Sequence, residues 1–450
     1  MATQRASVSP AAPLYPKGRQ AVQQIFMETM ARLDVHRAML RKIDFSMGTL
    51  TAGDVAFEIL KPSRVIAFGK AANSMAASLI EIMGGMIEAG VVISPVGPTR
   101  KLDRFQYFVG GHPYPTPGSL EGAEAALQLV AGLKPEDLVI FLVSGGGSAM
   151  LEKPLQASVT LGDLIEFYRV LVTGGVPIER MNVLRKHISA VKGGRLALAA
   201  SPARQLTIYI SDVPPDFSSM VASGPAVADE STTGECYEIA DQYQLVEKFP
   251  ARIRSQFTER TLEETPKPWD KLFAPSKMFC LLSNTDAVEA AKEIARRFKF
   301  ESEVDSGLWD ADYRQVADQN LESLGRLARK HPGKPVCLVV GGEVTCPVTG
   351  RGLGGRNQAY VLYAAGKIAD QFRVVLSAGT DGRDGNSPSS GAVADGNTVR
   401  RASALGMDPA AFLADSDSYH FFRTLGDTIE TGFTDNNVRD LRLWLDFNHG

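Results

Sequence analysis

No two cysteines stand at CxxC spacing in this sequence. Cys236, Cys280, Cys337 and Cys346 are scattered, so neither a disulfide framework nor a zinc site is expected, and reduced thiols are the default. The six histidines, at 36, 112, 187, 331, 420 and 449, form no HxxxH or HExxH pair, which argues against a zinc hydrolase. No apolar run approaches the roughly 20 residues of a membrane span. Neither sign of charge dominates: Lys+Arg 48 against Asp+Glu 51 leaves a formal −3, with nothing to draw nucleic acid or an anionic membrane. Acidic residues are missing before Glu28, where Arg5, Lys17 and Arg19 occur among serines and prolines. A weak transit peptide shares that composition, but a disordered leader over 1–17 and a cytoplasmic protein are the expectation.

What remains is ample core material. A chain of 450 residues that is 44% hydrophobic and 22% charged predicts two or three compact units. After the leader, residues 18–43 carry apolar positions at helical spacing, among them Val22, Ile25, Phe26, Met30, Leu33 and Leu40. A recurrent pattern then begins, in which a short apolar run meets a glycine turn and an amphipathic segment follows. RVIAF (64–68) leads into Gly69 and Lys70, LVIFLV (138–143) into SGGGS, and LTIYI (206–210) into Ser211 and Asp212. Such runs signal buried parallel strands in βαβ units. The pattern lapses over 248–275 and resumes with MFCLL (278–282), VCLVV (336–340) and RVVL (373–376). The fold class predicted is α/β, with two three-layer domains built on largely parallel sheets over 18–255 and 256–450. Ligands in such sheets gather at the carboxyl ends of the strands.

Several of those loops carry chemistry. Lys70 opens a helix, where the macrodipole disfavours a cation unless an anion intervenes; a solvated turn lysine is the ordinary alternative. This is no Walker loop, because Arg64 stands where its first glycine would fall. Ser144, Gly145, Gly146, Gly147 and Ser148 let backbone amides and hydroxyls approach a phosphate. The same loop is a poor dinucleotide fingerprint, since it has neither GxGxxG spacing nor a suitable acid downstream. Residues 182–195 read as a helix whose buried stripe is Leu184, Ile188 and Val191. Asn182, Arg185, Ser189 and Lys192 share another face, suited to a carboxylate or phosphate, although a solvated basic face has the same pattern. Asp212 could hold a metal, accept a proton or cap a turn. Asp381 and Asp384, three apart in a glycine loop, can bind Mg²⁺ but lack the later ligands of an EF-hand. The loop GRGLGGRNQ (350–358) crowds glycines, including Gly354 and Gly355, before Arg356 and Asn357. That predicts close backbone approach to a ligand and, at Arg356, a second cation in need of an anion. His112, within GGHP, reads as a structural turn residue.

Taken together, FGKAA (68–72), GGHPYP (110–115), SGGGSA (144–149), NVLRKHISAVKGGRLA (182–197), SDVP (211–214), ASGP (222–225), GGE (341–343), GRGLGGRNQ (350–358) and SAGTDGRDG (377–385) resemble the glycerate 2-kinase family, whose carboxy-terminal module is called MOFRL. They span nearly the whole chain in family order. The resemblance implies two α/β domains with an interdomain active-site cleft, ATP and Mg²⁺ as cofactors, and phosphorylation of a small hydroxy acid, D-glycerate first. It implies Lys70 as the group stabilising the transferring phosphoryl, Arg356 as the charge neutraliser, and Asp212 or Asp381 in metal binding or acceptor activation. The other loop residues, Gly69 included, would bind substrate or phosphate, and the tail 425–450 would return to the cleft. One segment departs from the family: TGFTDNNVRDL (431–441) stands where TGPTGTNVNDL is usual, so acceptor choice is the property most exposed to change. A hydroxypyruvate reductase, a label some family members carry, and a binding module without catalysis are the alternatives. A homodimer is open on this sequence.

Overall fold

The computed structural model describes residues 15–211, 213, 221–307 and 311–447. They form two compact units, one of Val35–Leu282 and the other of residues through Asp34 together with those from Ser283. The division thus falls at 282/283 and not at the expected 255/256. The reason is the strand Ser276–Leu282, which the sequence reading placed after the connection as the start of the second domain, and which hydrogen-bonds into the first sheet. The amino-terminal segment is also reassigned. It is two helices, Pro16–Arg32 and Val35–Lys42, and the first begins inside the expected leader, with Pro16 in its first turn, where a missing N–H costs nothing. Val22, Ile25 and Phe26 bury this helix in the second unit. Arg19 clamps it there, pairing with Asp427 and lying 3.6 Å from Asp395.

In the first unit the helix Val35–Lys42 is followed by a small antiparallel sheet of β1 (Ile43–Ser46), β2 (Thr49–Ala52) and β3 (Val55–Glu58). Its main sheet contains β4 (Ser63–Phe68), β5 (Ile87–Ser94), β6 (Phe105–Val109), β7 (Leu138–Val143), β8 (Arg204–Ile210) and β9 (Ser276–Leu282), in the order β6-β5-β4-β7-β8-β9 and parallel throughout. Helices cover both faces, which is why β7 is apolar at every position and wholly buried. On one face Ala123, Ala126 and Val130 of the helix Pro117–Val130 pack on Ile66, Val91, Ile93 and Phe141. From β4 the chain winds outward through β5 and β6, then returns to β7 beside β4 and winds the other way. The two central strands therefore flank a topological switch point, where their carboxyl-terminal loops leave a crevice.

The second unit contains β10 (Glu301–Asp305), β11 (Val336–Val340), β12 (Arg373–Gly379), β13 (Gly391–Asp395), β14 (Thr428–Ile429) and β15 (Asp440–Asp446), ordered β10-β11-β15-β12-β13-β14. Only β10 and β11 pair in parallel; the other neighbours are antiparallel. β10, β11, β12 and β14 share a direction, so the parallel expectation holds for most strands but not for most ladders. The departure comes from β15, which slots between β11 and β12 in the opposite sense, and from the return strand β13. Alternation divides the core: Cys337, Val339, Leu443 and Leu445 face the helices Pro16–Arg32 and Asn284–Arg297. Leu338, Val340, Val375 and Trp444 face Tyr313–Lys330 and Arg356–Lys367. No helix among the described residues is long and apolar enough to cross a membrane.

Candidate active site

In the first unit the switch point brings three of the sequence motifs together. Phe68 and Val143 are paired at the ends of β4 and β7, and the loops that follow lie in contact. Gly69 has φ +113°, and a Cβ there would come within 2.4 Å of both the carbonyl oxygen and the Oγ of Ser144. Glycine is therefore obligatory for this approach. The Lys70 N–H donates to the Gly145 carbonyl at 3.0 Å, and the Ala71 N–H to Ser144 Oγ at 3.0 Å. A Cβ on Gly146 would lie 3.1 Å from His112 and 3.6 Å from Lys70 Cγ, so His112 joins the cluster that the sequence assigned it only as a turn. Ser148 Oγ stands 2.9 Å from Ser223 Oγ, which donates to Asn182 Oδ1 at 3.0 Å. A serine has one hydroxyl proton, so Ser148 is the donor to Ser223. Asp212 lies outside the described residues.

The expected helix over 182–195 is two helices, Ile178–Ile188 and Arg195–Ala200, with Ser189 extended between them. Gly193 (φ +55°) and Gly194 (φ +81°) turn the chain in a left-handed conformation that no helix accommodates. The break separates the two cations predicted to share a face. Lys192 is fully buried, 2.5 Å from Glu152, which also accepts from Ser189 Oγ at 2.6 Å and from the Tyr168 hydroxyl. Burial pulls the Lys192 ammonium below its ordinary value, against the opposing pull of Glu152. Arg185 remains on the helix with its guanidinium 4.5 Å above the Tyr168 ring. Lys192→Met should cost about 3–5 kcal/mol in chemical denaturation, because Glu152 would then be a buried carboxylate without its cation. A midpoint equal to wild type would remove this pair from the fold's supports.

In the second unit Arg356 does open a helix, Arg356–Lys367, but the chain itself supplies the anions that the sequence left to a ligand. Asp384 accepts from the backbone N–H groups of Asn357 (3.0 Å) and Gln358 (2.8 Å) and so caps the helix. Burial pushes its carboxyl up to about 7, while these two donors pull the other way. Arg356 donates through Nε and Nη2 to the two oxygens of Asp440, at 2.7 and 3.0 Å, and its Nη1 lies 2.8 Å from Glu343. Burial disfavours the guanidinium charge, but the two carboxylates outweigh it and hold its pKa above the ordinary value. Asp440 is fully buried and also accepts from Asn357 Nδ2 at 2.9 Å. Neither Glu343 nor Asp440 was singled out from the sequence, although GGE after β11 and the aspartate heading the apolar run DLRLWLD were both visible.

The glycines of this loop have a structural cause. Cβ atoms on Gly350, Gly352 and Gly354 would meet Asp415, Asp417 and Ser418 within 2.4 Å, and one on Gly355 would meet Asp384 at 2.3 Å. They admit neighbouring backbone and side chains, a cause within the chain that the sequence reading had sought in a ligand. Gly350, Gly352 and Gly355 have GxGxxG spacing, but β11 ends at Val340, so the strand-turn-helix context of a dinucleotide loop is absent. Beside Gly354, Gly355 and Arg356 opens a cavity of about 340 Å³, walled by Val344, Phe412 and Leu413, within the range of small-molecule sites. The proposed metal pair does not fit a metal here. Asp384 is 1% exposed with both oxygens engaged by N–H donors, while Asp381 accepts from the Arg383 N–H at 3.1 Å. Among the described residues no three His, Cys, Asp or Glu side chains gather as a metal site. The departing segment reaches this cluster: Arg439, at φ +67° where the family pattern has asparagine, lies 3.6 Å from Glu343.

Comparison with known proteins supplies the context for both clusters. Residues 21–258 match a family described as a domain of unknown function, DUF4147, and residues 336–440 match the MOFRL family. The D-glycerate 2-kinase of Thermotoga maritima is 35% identical over 387 residues, covering 85% of this chain and 90% of that one. A putative hydroxypyruvate reductase of Agrobacterium vitis is 34% identical, over 85% of this chain and 86% of its own. The crystal structure of a glycerate kinase from Thermotoga maritima superposes with a TM-score of 0.82 at 30% identity, covering 95% of this chain and 99% of that one. With motifs, architecture and relatives in agreement, the chain belongs to the glycerate 2-kinase family.

Proposed function

We propose that the chain transfers the γ-phosphoryl group of ATP to D-glycerate, giving 2-phosphoglycerate and ADP. The observation that carries this reading is the junction at the switch point, where Lys70 lies against the triple-glycine loop after β7. Phosphoryl transfer needs positioned cations and amides more than covalent chemistry. Gly145, Gly146, Gly147 and Ser148 would cradle the phosphates, and Lys70 would meet charge developing on the phosphoryl oxygens. Arg356, fixed by Asp440 and Glu343, would supply a preorganised second cation. Asp212 would take the proton of the acceptor hydroxyl as the oxygen-phosphorus bond forms and the bond to the ADP oxygen breaks. The nucleotide would enter as its Mg²⁺ complex, carrying the metal on its phosphates.

The test is coupled ADP release with Mg-ATP and D-glycerate, with the phosphorylated position read by phosphorus NMR. Folded protein that phosphorylates neither glycerate nor a four-carbon aldonic acid would sink the kinase reading. The Agrobacterium vitis relative motivates a second assay. NADH oxidation with hydroxypyruvate, indifferent to ATP, would favour a reductase, and binding without turnover would favour a non-catalytic module.

A further inference from the structure

We infer that Arg185 is the receptor for the carboxylate of the hydroxy-acid substrate, an assignment that rests on the kinase reading above and gives it a source of acceptor specificity. The argument starts from an imbalance of charge. Buried cations in this unit are otherwise matched: Lys186 lies 3.0 Å from Asp229, Lys192 lies 2.5 Å from Glu152, and Arg195 donates to the carbonyls of Lys186, Ser189, Glu263 and Glu264 at 2.8–3.2 Å. Arg185 is only 9% exposed, yet among the described residues it has no carboxylate or carbonyl partner. Among those residues its guanidinium donates only to Met181 Sδ at 3.9 Å, and its Nε is buried with no acceptor. A guanidinium so withdrawn from water ordinarily has an anion beside it.

The surroundings fix where that anion would sit. The guanidinium stacks on Tyr168, whose hydroxyl is tied to Glu152 and to the Ser148 carbonyl at 3.2 Å. Arg185 is thereby held behind the SGGGS loop. Asn182, one helical turn earlier on the same face, reaches Ser148 through Ser223. The planar fork of an arginine matches a carboxylate through two parallel hydrogen bonds. A phosphate dianion would call for a second cation, and the two lysines nearest in the sequence, Lys186 and Lys192, are already neutralised by Asp229 and Glu152. One unpaired positive charge therefore suits a monoanion, and it would anchor the acid while its hydroxyl faces the Lys70 loop.

The decisive comparison is wild type against Arg185→Gln and Arg185→Lys, using D-glycerate and its uncharged amide, with melting temperatures recorded for each protein. Arg185→Gln should raise the KM for D-glycerate at least about 100-fold while leaving the KM for ATP within about twofold, the scale for losing a charged recognition bond. The preference of wild type for the acid over the amide should collapse in the same variant, and Arg185→Lys, which keeps the charge without the fork, should fall between. A KM for ATP that rises as much as that for glycerate would overturn the assignment in favour of a nucleotide phosphate. Calorimetric binding of D-glycerate separates this inference from the reading beneath it. Wild type that binds glycerate but never phosphorylates it defeats the kinase reading and leaves Arg185 to be judged by the loss of binding in the variants. Turnover in wild type with unchanged glycerate affinity in folded Arg185→Lys and Arg185→Gln defeats Arg185 alone. If Arg185→Gln does not fold, Arg185→Lys carries the comparison, with wild-type KM as the overturning result.

Discussion

Lys70→Ala should lower kcat at least about 100-fold and leave the melting temperature near that of wild type. The rate loss is the scale observed when a preorganised charge aimed at a transition state is removed. The stability expectation follows from how this residue is held. Its place in the loop depends on its backbone N–H, which donates to Gly145, and on Gly69 lying against Ser144, and alanine preserves all of that. Affinity for the hydroxy acid should change little, so the loss belongs in kcat and not in KM. Lys70→Arg should recover only part of the rate, since a planar fork replaces a compact charge. An alanine variant turning over at the wild-type rate would remove Lys70 from the chemistry.

The second large effect is expected at Arg356, and here stability and activity move together. Arg356→Ala should also cut turnover at least about 100-fold. It also strips the bidentate partner from Asp440, which is fully buried, at a cost of about 3 kcal/mol. Activity must therefore be measured below the variant's melting transition. Arg356→Lys separates the two consequences: it restores a cation to Asp440 and with it most of the stability, but it cannot span Asp440 and Glu343 together, so turnover should stay low. The ion pair also fixes a pH dependence. Burial works against the Asp440 charge, but Arg356 holds its pKa below the ordinary carboxylate value. The folded state thus binds its proton less readily than the unfolded chain, and the stabilisation is in place above about pH 4 and lost on acidification. Denaturation midpoints of wild type and Asp440→Asn should converge as pH falls through that range. A gap that stays constant between pH 3 and 7 would contradict the pairing.

What could be read from the linear sequence follows the range of the interactions involved. The loops after β4 and β7 were legible because strand, glycine and helix are consecutive in the chain, and the parallel sheet placed them side by side. The face assigned to Asn182, Arg185 and Lys192 was only partly right. Helical spacing is a local inference, whereas the neutralisation of Lys192 depends on Glu152, 40 residues away. The partners of Arg356 were harder still. Asp440 meets it across 84 residues, and only because β15 inserts between β11 and β12. Apolar alternation in DLRLWLD announces a strand but carries no information about which neighbours it will choose. The amino-terminal helix was recognised as amphipathic, but its docking on the second unit, through Arg19 with Asp395 and Asp427, has no local signature.

The central position of β15 has a consequence for biosynthesis. A ribosome delivers residues 35–282 as an uninterrupted stretch, and every strand of the first main sheet is present once β9 has emerged. The other sheet stays divided until translation passes residue 446, because the strand that joins its halves is made after both. Through that interval the apolar flank of Pro16–Arg32, made before any of those strands, has no finished surface to cover. Chaperone occupancy on stalled nascent chains should therefore persist until residue 446 has emerged for the late unit and fall away early for the other.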